Sequence, residues 1–94
     1  MPLYSAQRRD GNEREIITAL DHVGAAVFQM DKSAGYDLTV IYLCVIRVME
    51  VKQPGEKLTE NELKVKAIFD RHGAPYHVVH DAEEALQAIG VGIW

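Results

Sequence analysis

The chain contains one cysteine, Cys44, so it has no second cysteine for an intrachain disulfide. A lone cysteine suits a reducing compartment. Long apolar runs are also missing, and none approaches the ~20 residues that are needed to cross a bilayer. The start, MPLYSAQRRDGNERE, is polar and unlike a signal peptide. We therefore expect no membrane association and a cytoplasmic location.

An excess of positive charge is missing as well. The formal net charge is −4, which ordinarily argues against a nucleic-acid partner. Cations bound to acidic side chains can reverse the sign of the local charge, so the net charge excludes no function by itself. The 94 residues, 48% of them apolar, predict one small domain spanning 1–94. Only about two-thirds of the unfolded surface is buried at this size, so a dimer partner would help.

The apolar periodicity predicts an α/β fold with the order α-β-β-β-α-β-α and helices on both sides of a small mixed sheet. We expect residues 1–11 to form a mobile arm and the apolar tail, 90–94, to pack on the body or on a partner. The periodicity and the capping boxes at Asn12 and Thr59 give the bounds of the elements. The first half of the chain is predicted to form a helix at 13–23 and strands at 25–30, 38–43 and 45–52. A helix ending near 72, a strand at 76–79 and a last helix capped by Asp81 follow. The residues expected to face the core are Ile16, Ile17, Leu20 and Val23 in the first helix and Leu63, Val65, Ile68 and Phe69 in the second.

The apolar run between Asp37 and Glu50 is long enough for two strands. The two acids are 13 positions apart, and a single strand would separate them by about 40 Å. A chain reversal near Leu43-Cys44 brings them onto neighbouring strands roughly 5 Å apart. This joint contains no Gly, Asn, Asp or Pro to favour a tight turn. Either its surroundings force the turn, or the strands are exchanged with a partner subunit, and the sequence leaves both open.

Strand alternation places Glu50 and Lys52 on one face, since they are two positions apart. Two carboxylates and an ammonium group then converge at the open end of the hairpin, which predicts a metal site with a cation beside it. Glu13 precedes Ile16 by three positions, so it lies at the end of the buried helical stripe. It is either a further carboxylate of this site or an ordinary acid at a helix N-terminus, favoured there by the helix dipole.

The arrangement of a helix-one Glu, an Asp that opens the second strand and a Glu-x-Lys that closes the third resembles the PD-(D/E)XK nuclease core. More narrowly, Asp37-Leu38 followed by the run MEVKQPGEKLT at 49–59 is similar to the VRR-NUC family. That pattern has Asp-Leu, then Glu-Val-Lys, a Pro-Gly turn and Leu-Thr opening a helix. The segment 78–86 resembles the last strand and helix of the family, and the likeness covers residues 12–89.

The resemblance implies a Mg²⁺- or Mn²⁺-dependent DNA endonuclease that hydrolyses phosphodiester bonds. It implies Asp37, Glu50 and Lys52 as catalytic residues, with Lys52 orienting or helping to deprotonate the attacking water. The metal ligands would be Glu13, Asp37, Glu50 and the backbone carbonyl of Val51. It further implies a homodimer that acts on branched DNA such as Holliday junctions, in a bacterial or phage-infected cell.

The chain departs from the family pattern in two places. Tyr36 replaces the Pro before the Asp, where the Pro shapes a turn and is no ligand. Glu62 replaces a Gln at the start of the helix; it either serves only in the capping box with Thr59, or it repels DNA or shifts the metal preference. Two other classes therefore stay open: a nuclease-fold protein that binds DNA or protein without cutting, and an interaction module in which the acid–lysine cluster is a salt bridge.

Overall fold

The structure is a computed structural model that describes residues 11–92. Its elements are α1 (Gly11–His22), β1 (Ala26–Gln29), a short 3-10 helix (Lys32–Ala34), β2 (Leu38–Tyr42), β3 (Val45–Val51), α2 (Glu60–Arg71), β4 (Tyr76–Val79) and α3 (Ala82–Ala88). The predicted element order is confirmed. The predictions for residues 1–10 and 93–94 lie outside the described residues, whereas Gly11 belongs to α1. Across 11–92, every helix is too short or too polar to span a membrane.

The four strands form one mixed sheet in the order β1-β2-β3-β4. The first three strands are antiparallel neighbours, and β4 lies parallel to β3. A parallel neighbour needs a crossover connection, which α2 supplies here. Helices α1 and α3 pack together against one face of the sheet, where the core lies. That core consists of Ile16, Leu20, Ala25, Leu38, Val40, Met49, Val51, Val79, Ala85 and Ile89.

Helix α2 lies on the opposite face. Met49 points into the core, so its neighbour Val48 points to the other side of the sheet. Tyr76 pairs with Val48 and therefore shares that second face. The ring of Tyr76 meets the ring of Phe69 from α2 edge-on, with the centroids 5.6 Å apart. The predicted placement of helices on both sides of a small mixed sheet is thus observed.

The predicted buried side of α2 is wrong for two residues. Leu63 is 54% exposed and Ile68 is 47% exposed. The helix instead packs through the narrow strip formed by Val65 and Phe69. A Cβ atom on Gly35 would clash with Val65, so the helix lies directly against the loop before β2. With so narrow a contact, the residues on the two flanks of the helix stay in solvent.

Part of the second face is left open beyond α2. Phe28, Ile41 and Ile46 lie on it as neighbours across β1, β2 and β3, since Phe28 pairs with Thr39 and Ile41 pairs with Ile46. Phe28 is 53% exposed and Ile46 is 67% exposed. These three residues form an apolar surface, called the open sheet face below.

The hairpin that unites the two predicted acids closes within the chain. Tyr42 pairs with Val45, which leaves Leu43 and Cys44 as a two-residue turn. Their φ angles are 49° and 69°, the left-handed backbone that the mirror-image hairpin turns require. Residues with a Cβ atom adopt this backbone at a cost of roughly 1–2 kcal/mol each. The structure therefore pairs the two strands within the chain through a strained turn.

Replacing Leu43-Cys44 with Asn-Gly is expected to raise the unfolding free energy by about 1–2 kcal/mol. These residues adopt positive φ with little strain, and both original side chains are exposed. Urea denaturation measures the gain. The control is Ser-Ser, which also shortens the side chains but keeps the unfavourable backbone. Equal stability of the two double variants would show that the turn is not strained, as expected if the strands exchange between subunits.

Candidate metal and catalytic site

The candidate site lies along one edge of the sheet. Since β2 runs antiparallel to its neighbours, the start of β2 lies beside the ends of β1, β3 and β4. Asp37 directly precedes β2, and Glu50 and Lys52 lie at the end of β3. The topology alone therefore gathers these three residues at this edge.

Backbone contacts fix Asp37 beside Glu50. The amide N–H of Asp37 donates to the carbonyl oxygen of Met49 at 3.0 Å. Asp37 Oδ2 accepts from the backbone N–H of Val51 at 2.8 Å. The N–H and C=O groups of a strand residue point to the same neighbouring strand, so the Val51 carbonyl is directed to the Asp37 side as well. The predicted adjacency of the two acids is confirmed.

Lys52 is buried among carboxylates. It is only 4% exposed. Its Nζ atom lies 3.4 Å from Glu50 Oε2, as expected from strand alternation, and 3.8 Å from Glu56 Oε2. Its shortest contact is with Glu62 Oε1, at 2.8 Å. The ammonium group thus bridges the end of β3 and the start of α2.

Glu62 has both a capping and a site contact. The capping box with Thr59 is present: Glu62 Oε1 accepts from the N–H of Thr59 at 2.8 Å, and Thr59 Oγ1 accepts from the N–H of Glu62 at 3.2 Å. The same carboxylate binds Lys52, a contact that the capping pattern does not predict. The sequence does contain a sign of this contact. The segment between Lys52 and α2 is short, so the start of α2 must lie near the end of β3.

Burial, together with the nearby charges of Asp37 and Glu62, raises the pKa of Glu50 to about 9. Glu50 is 2% exposed, so its charged form has little water to solvate it. At neutral pH the ion-free protein therefore holds Glu50 as the neutral acid. The charged pair at the site is then Lys52 with Glu62.

The pKa values of this pair shift in the directions that favour both charges. Burial alone lowers the pKa of Lys52, but the hydrogen bond to Glu62, the charge of Glu62 and the charge that Glu50 gains once it ionises at higher pH outweigh it and raise the pKa. Burial alone raises the pKa of Glu62, but the hydrogen bonds from Lys52 and Thr59 lower it. Lys52 is therefore an ammonium group at neutral pH.

Glu13 is buried, as predicted, with 4% of it exposed. Gln29 Nε2 donates to Glu13 Oε2 at 3.4 Å. Gln29 pairs with Leu38, the residue after Asp37, so Glu13 lies at the same edge of the sheet, one strand further out. The described contacts join Lys52 to Glu50, bind Asp37 to the β3 backbone on either side of Glu50, and place Glu13 against Gln29.

Asn12 is not the N-cap that the sequence predicts. Helix α1 already includes Gly11, so Asn12 lies within its first turn. Its side chain contacts the strand ends instead: Nδ2 donates to the carbonyl oxygens of Lys52 at 3.1 Å and of His80 at 3.2 Å. The capping pattern misled because both partners are distant in sequence.

The donor set suits a hard divalent cation. Glu50 Oε1 is buried and has no hydrogen-bond partner among the described residues. An oxygen so placed, next to the carboxylates of Asp37 and Glu62, is satisfied either by a proton or by a cation. Over residues 11–92 there is no ready-made cluster of three or more His, Cys, Asp or Glu side chains that could hold a metal. Mg²⁺ commonly uses only one or two carboxylates and keeps several waters, so Asp37 and Glu50 fit it.

Comparisons of the chain with family models, with curated proteins and with solved structures found no match.

Proposed function

We propose that this chain is a divalent-metal-dependent DNA endonuclease with a PD-(D/E)XK core of VRR-NUC type. Its substrate is branched DNA, and it hydrolyses phosphodiester bonds. The observation that carries the proposal is the convergence of Asp37, Glu50 and Lys52 at one edge of the sheet. A pair of acids and a lysine, all from one hairpin, is the arrangement that the motif requires.

Asp37, Glu50 and the carbonyl of Val51 would hold Mg²⁺ or Mn²⁺, with Glu13 near the adjoining strand as a further candidate. The ion would supply Lewis-acid stabilisation of the phosphoryl charge and a more acidic attacking water. Besides holding the ion, the fold excludes bulk water from the site, since Glu50 and Lys52 are almost fully buried. Charges act more strongly in such surroundings than in water.

Lys52 acts as a donor. Its raised pKa keeps it protonated at neutral pH, so it orients the attacking water or a phosphate oxygen and offsets negative charge there. Its position follows from strand alternation and from the contacts with Glu50 and Glu62. A general-base role would need a lowered pKa, and the surroundings of Lys52 raise it.

The proposed partner is a second copy of the chain. A two-fold dimer brings together two identical patches and supplies one cutting site for each DNA strand. The open sheet face formed by Phe28, Ile41 and Ile46 is an apolar patch of the kind that a self-complementary interface uses. Ile41 and Ile46 lie at the turn end of the hairpin, whereas Glu50 and Lys52 lie at its open end.

Cleavage of a labelled four-way junction is expected with Mg²⁺ or Mn²⁺ and is expected to stop in EDTA. Flap and linear duplex DNA, run in parallel, rank the substrates, and sedimentation of the same samples gives the oligomeric state. Lys52→Met, which keeps the volume of the side chain, is expected to lower the rate at least about 100-fold, the usual cost of losing one electrostatic donor. Asp37→Asn serves as a second variant. Metal-dependent cutting that survives in both would refute the assignment of the site.

The Lys52–Glu62 contact favours a second candidate, a nuclease-fold protein that binds DNA or protein without cutting. Glu62 adds negative charge where a phosphate would approach, and it occupies the ammonium group at 2.8 Å. Glu62→Gln keeps a side chain that can accept the capping hydrogen bond but removes the charge. Cutting by this variant, together with none by the wild type, would support the second candidate.

A further inference from the structure

The side chain of Asn12 joins three separate segments of the fold. Its Nδ2 atom donates to the carbonyl oxygens of Lys52 and His80, at 3.1 and 3.2 Å. Its Oδ1 atom accepts from Gln53 Nε2 at 3.1 Å. An amide side chain has two N–H donors, and both are used here. These bonds tie the first turn of α1 to the ends of β3 and β4.

The bonds lie where the sheet ladder stops. The N–H of Lys52 donates to the carbonyl oxygen of Val79 at 3.0 Å, the final rung between the two strands. β4 ends at Val79, and after Gln53 the other chain segment enters the Pro54-Gly55 turn. The ladder therefore has no further hydrogen bond for the Lys52 carbonyl. Asn12 takes the place of that bond. Strand ends without such a bond open locally at low cost.

Asn12 is also the neighbour of Glu13 in α1. A bond from Asn12 to the backbone of Lys52 therefore fixes the distance between α1, which carries Glu13, and β3, which carries Glu50 and Lys52. Two parts of the candidate site that come from different elements are held in register by one amide group.

We propose that Asn12 is a positioning residue for the nuclease reaction: it holds the Lys52 backbone so that the ammonium group stays in its catalytic place. This inference rests on the proposed function. Asn12 does not touch the reacting atoms and acts through Lys52 and through the placement of Glu13. Small misplacements of a catalytic group, near 1 Å, reduce rates by about 100-fold.

Three variants test the inference. Asn12→Ala removes all three hydrogen bonds, and Asn12→Asp keeps the shape but has no donor when ionised. Both are expected to lower kcat about 10- to 100-fold with KM changed less than about 3-fold, since binding of DNA does not depend on the exact place of Lys52. Asn12→Gln keeps both donors on a longer side chain and is expected to retain more of the rate than either.

The control is Ile89→Val, a core change directly after α3 that is expected to cost about 1 kcal/mol. It separates lost stability from lost positioning, and it is expected to leave kcat unchanged. Amide hydrogen exchange gives a readout that needs no activity: the Lys52 N–H is expected to exchange faster in Asn12→Ala, and not in Ile89→Val, relative to the core amides of the same protein.

The possible failures are distinguishable. If the wild type cuts DNA and Asn12→Ala cuts with the same kcat, the positioning role is refuted and the nuclease stands. If kcat falls equally in Ile89→Val, the effect is one of stability and the inference fails. If the wild type cuts no DNA with either metal, the proposed function fails and this inference falls with it.

Discussion

Lys52→Met is expected to lower the unfolding free energy of the ion-free protein by about 3–5 kcal/mol, the usual cost of removing one partner from a buried charge pair. Without the ammonium group, Glu62 keeps its charge in a position that is 17% exposed, and Glu50 and Asp37 lie beside it. The side-chain volume is retained, so the loss reports the charge rather than a cavity. Urea denaturation at pH 7 in EDTA measures it.

Lys66→Met is the matched control. Lys66 Nζ also lies 2.8 Å from a carboxylate oxygen, that of Asp70, but this pair is on the surface of α2 with side chains 36% and 56% exposed. Exposed pairs at i and i+4 contribute about 0.3–0.5 kcal/mol. The two substitutions thus remove the same charge at the same distance and differ in burial. Equal losses in the two variants would contradict the view that Lys52 neutralises a buried acidic cluster.

The part of the site that sequence could predict depends on short-range regularities. Asp37 and Glu50 become neighbours because a run of that length folds into two strands, and Glu50 and Lys52 share a face because strand side chains alternate. The Glu62 capping box follows from a four-residue pattern. Each of these rules acts within a few residues, and the structure agrees with all of them.

The missed contacts depend on tertiary placement. Asn12 binds the backbone of residues 40 and 68 positions away, and no local pattern encodes such partners. The local rule gave it a capping role that the helix start excludes. Leu63 and Ile68 have the spacing of a buried helical face, yet the contacts of Val65 with Gly35 and of Phe69 with Tyr76 decide how much of α2 is covered. Periodicity predicts that a face is apolar and not whether anything lies against it.

The crowding of acids explains why a lysine lies at this edge and why the proposed metal ion would fit there. Asp37, Glu50 and Glu62 lie close enough that the pKa of Glu50 responds to both of the others. The ion-free fold relieves the repulsion by protonating Glu50 and by pairing Glu62 with Lys52. A divalent ion would replace the proton, because it satisfies the same buried oxygen without leaving a charge uncompensated.

The stability of the ion-free protein is therefore expected to fall as the pH rises from 7 to 9. The pKa of Glu50 is near 9 in the folded protein and 4.5 in its ordinary state, so between these values the folded protein binds a proton that the unfolded chain has lost. The contribution is fully present below pH 4.5 and is lost as the pH rises through 9. One such proton gives a slope of up to about 1.4 kcal/mol per pH unit.

Glu50→Gln is the matched control, since the amide resembles the neutral acid in shape and does not titrate. Urea denaturation of both proteins in EDTA, between pH 7 and 9, isolates the titration of Glu50. The lowered pKa of His77 affects stability only at lower pH. The pKa values of Lys52 and Tyr76 are raised and lie above this window. The wild type is expected to lose stability across the window while Glu50→Gln stays nearly level. Parallel curves would mean that Glu50 is already ionised at neutral pH and that Lys52, rather than a proton, neutralises it in the ion-free fold.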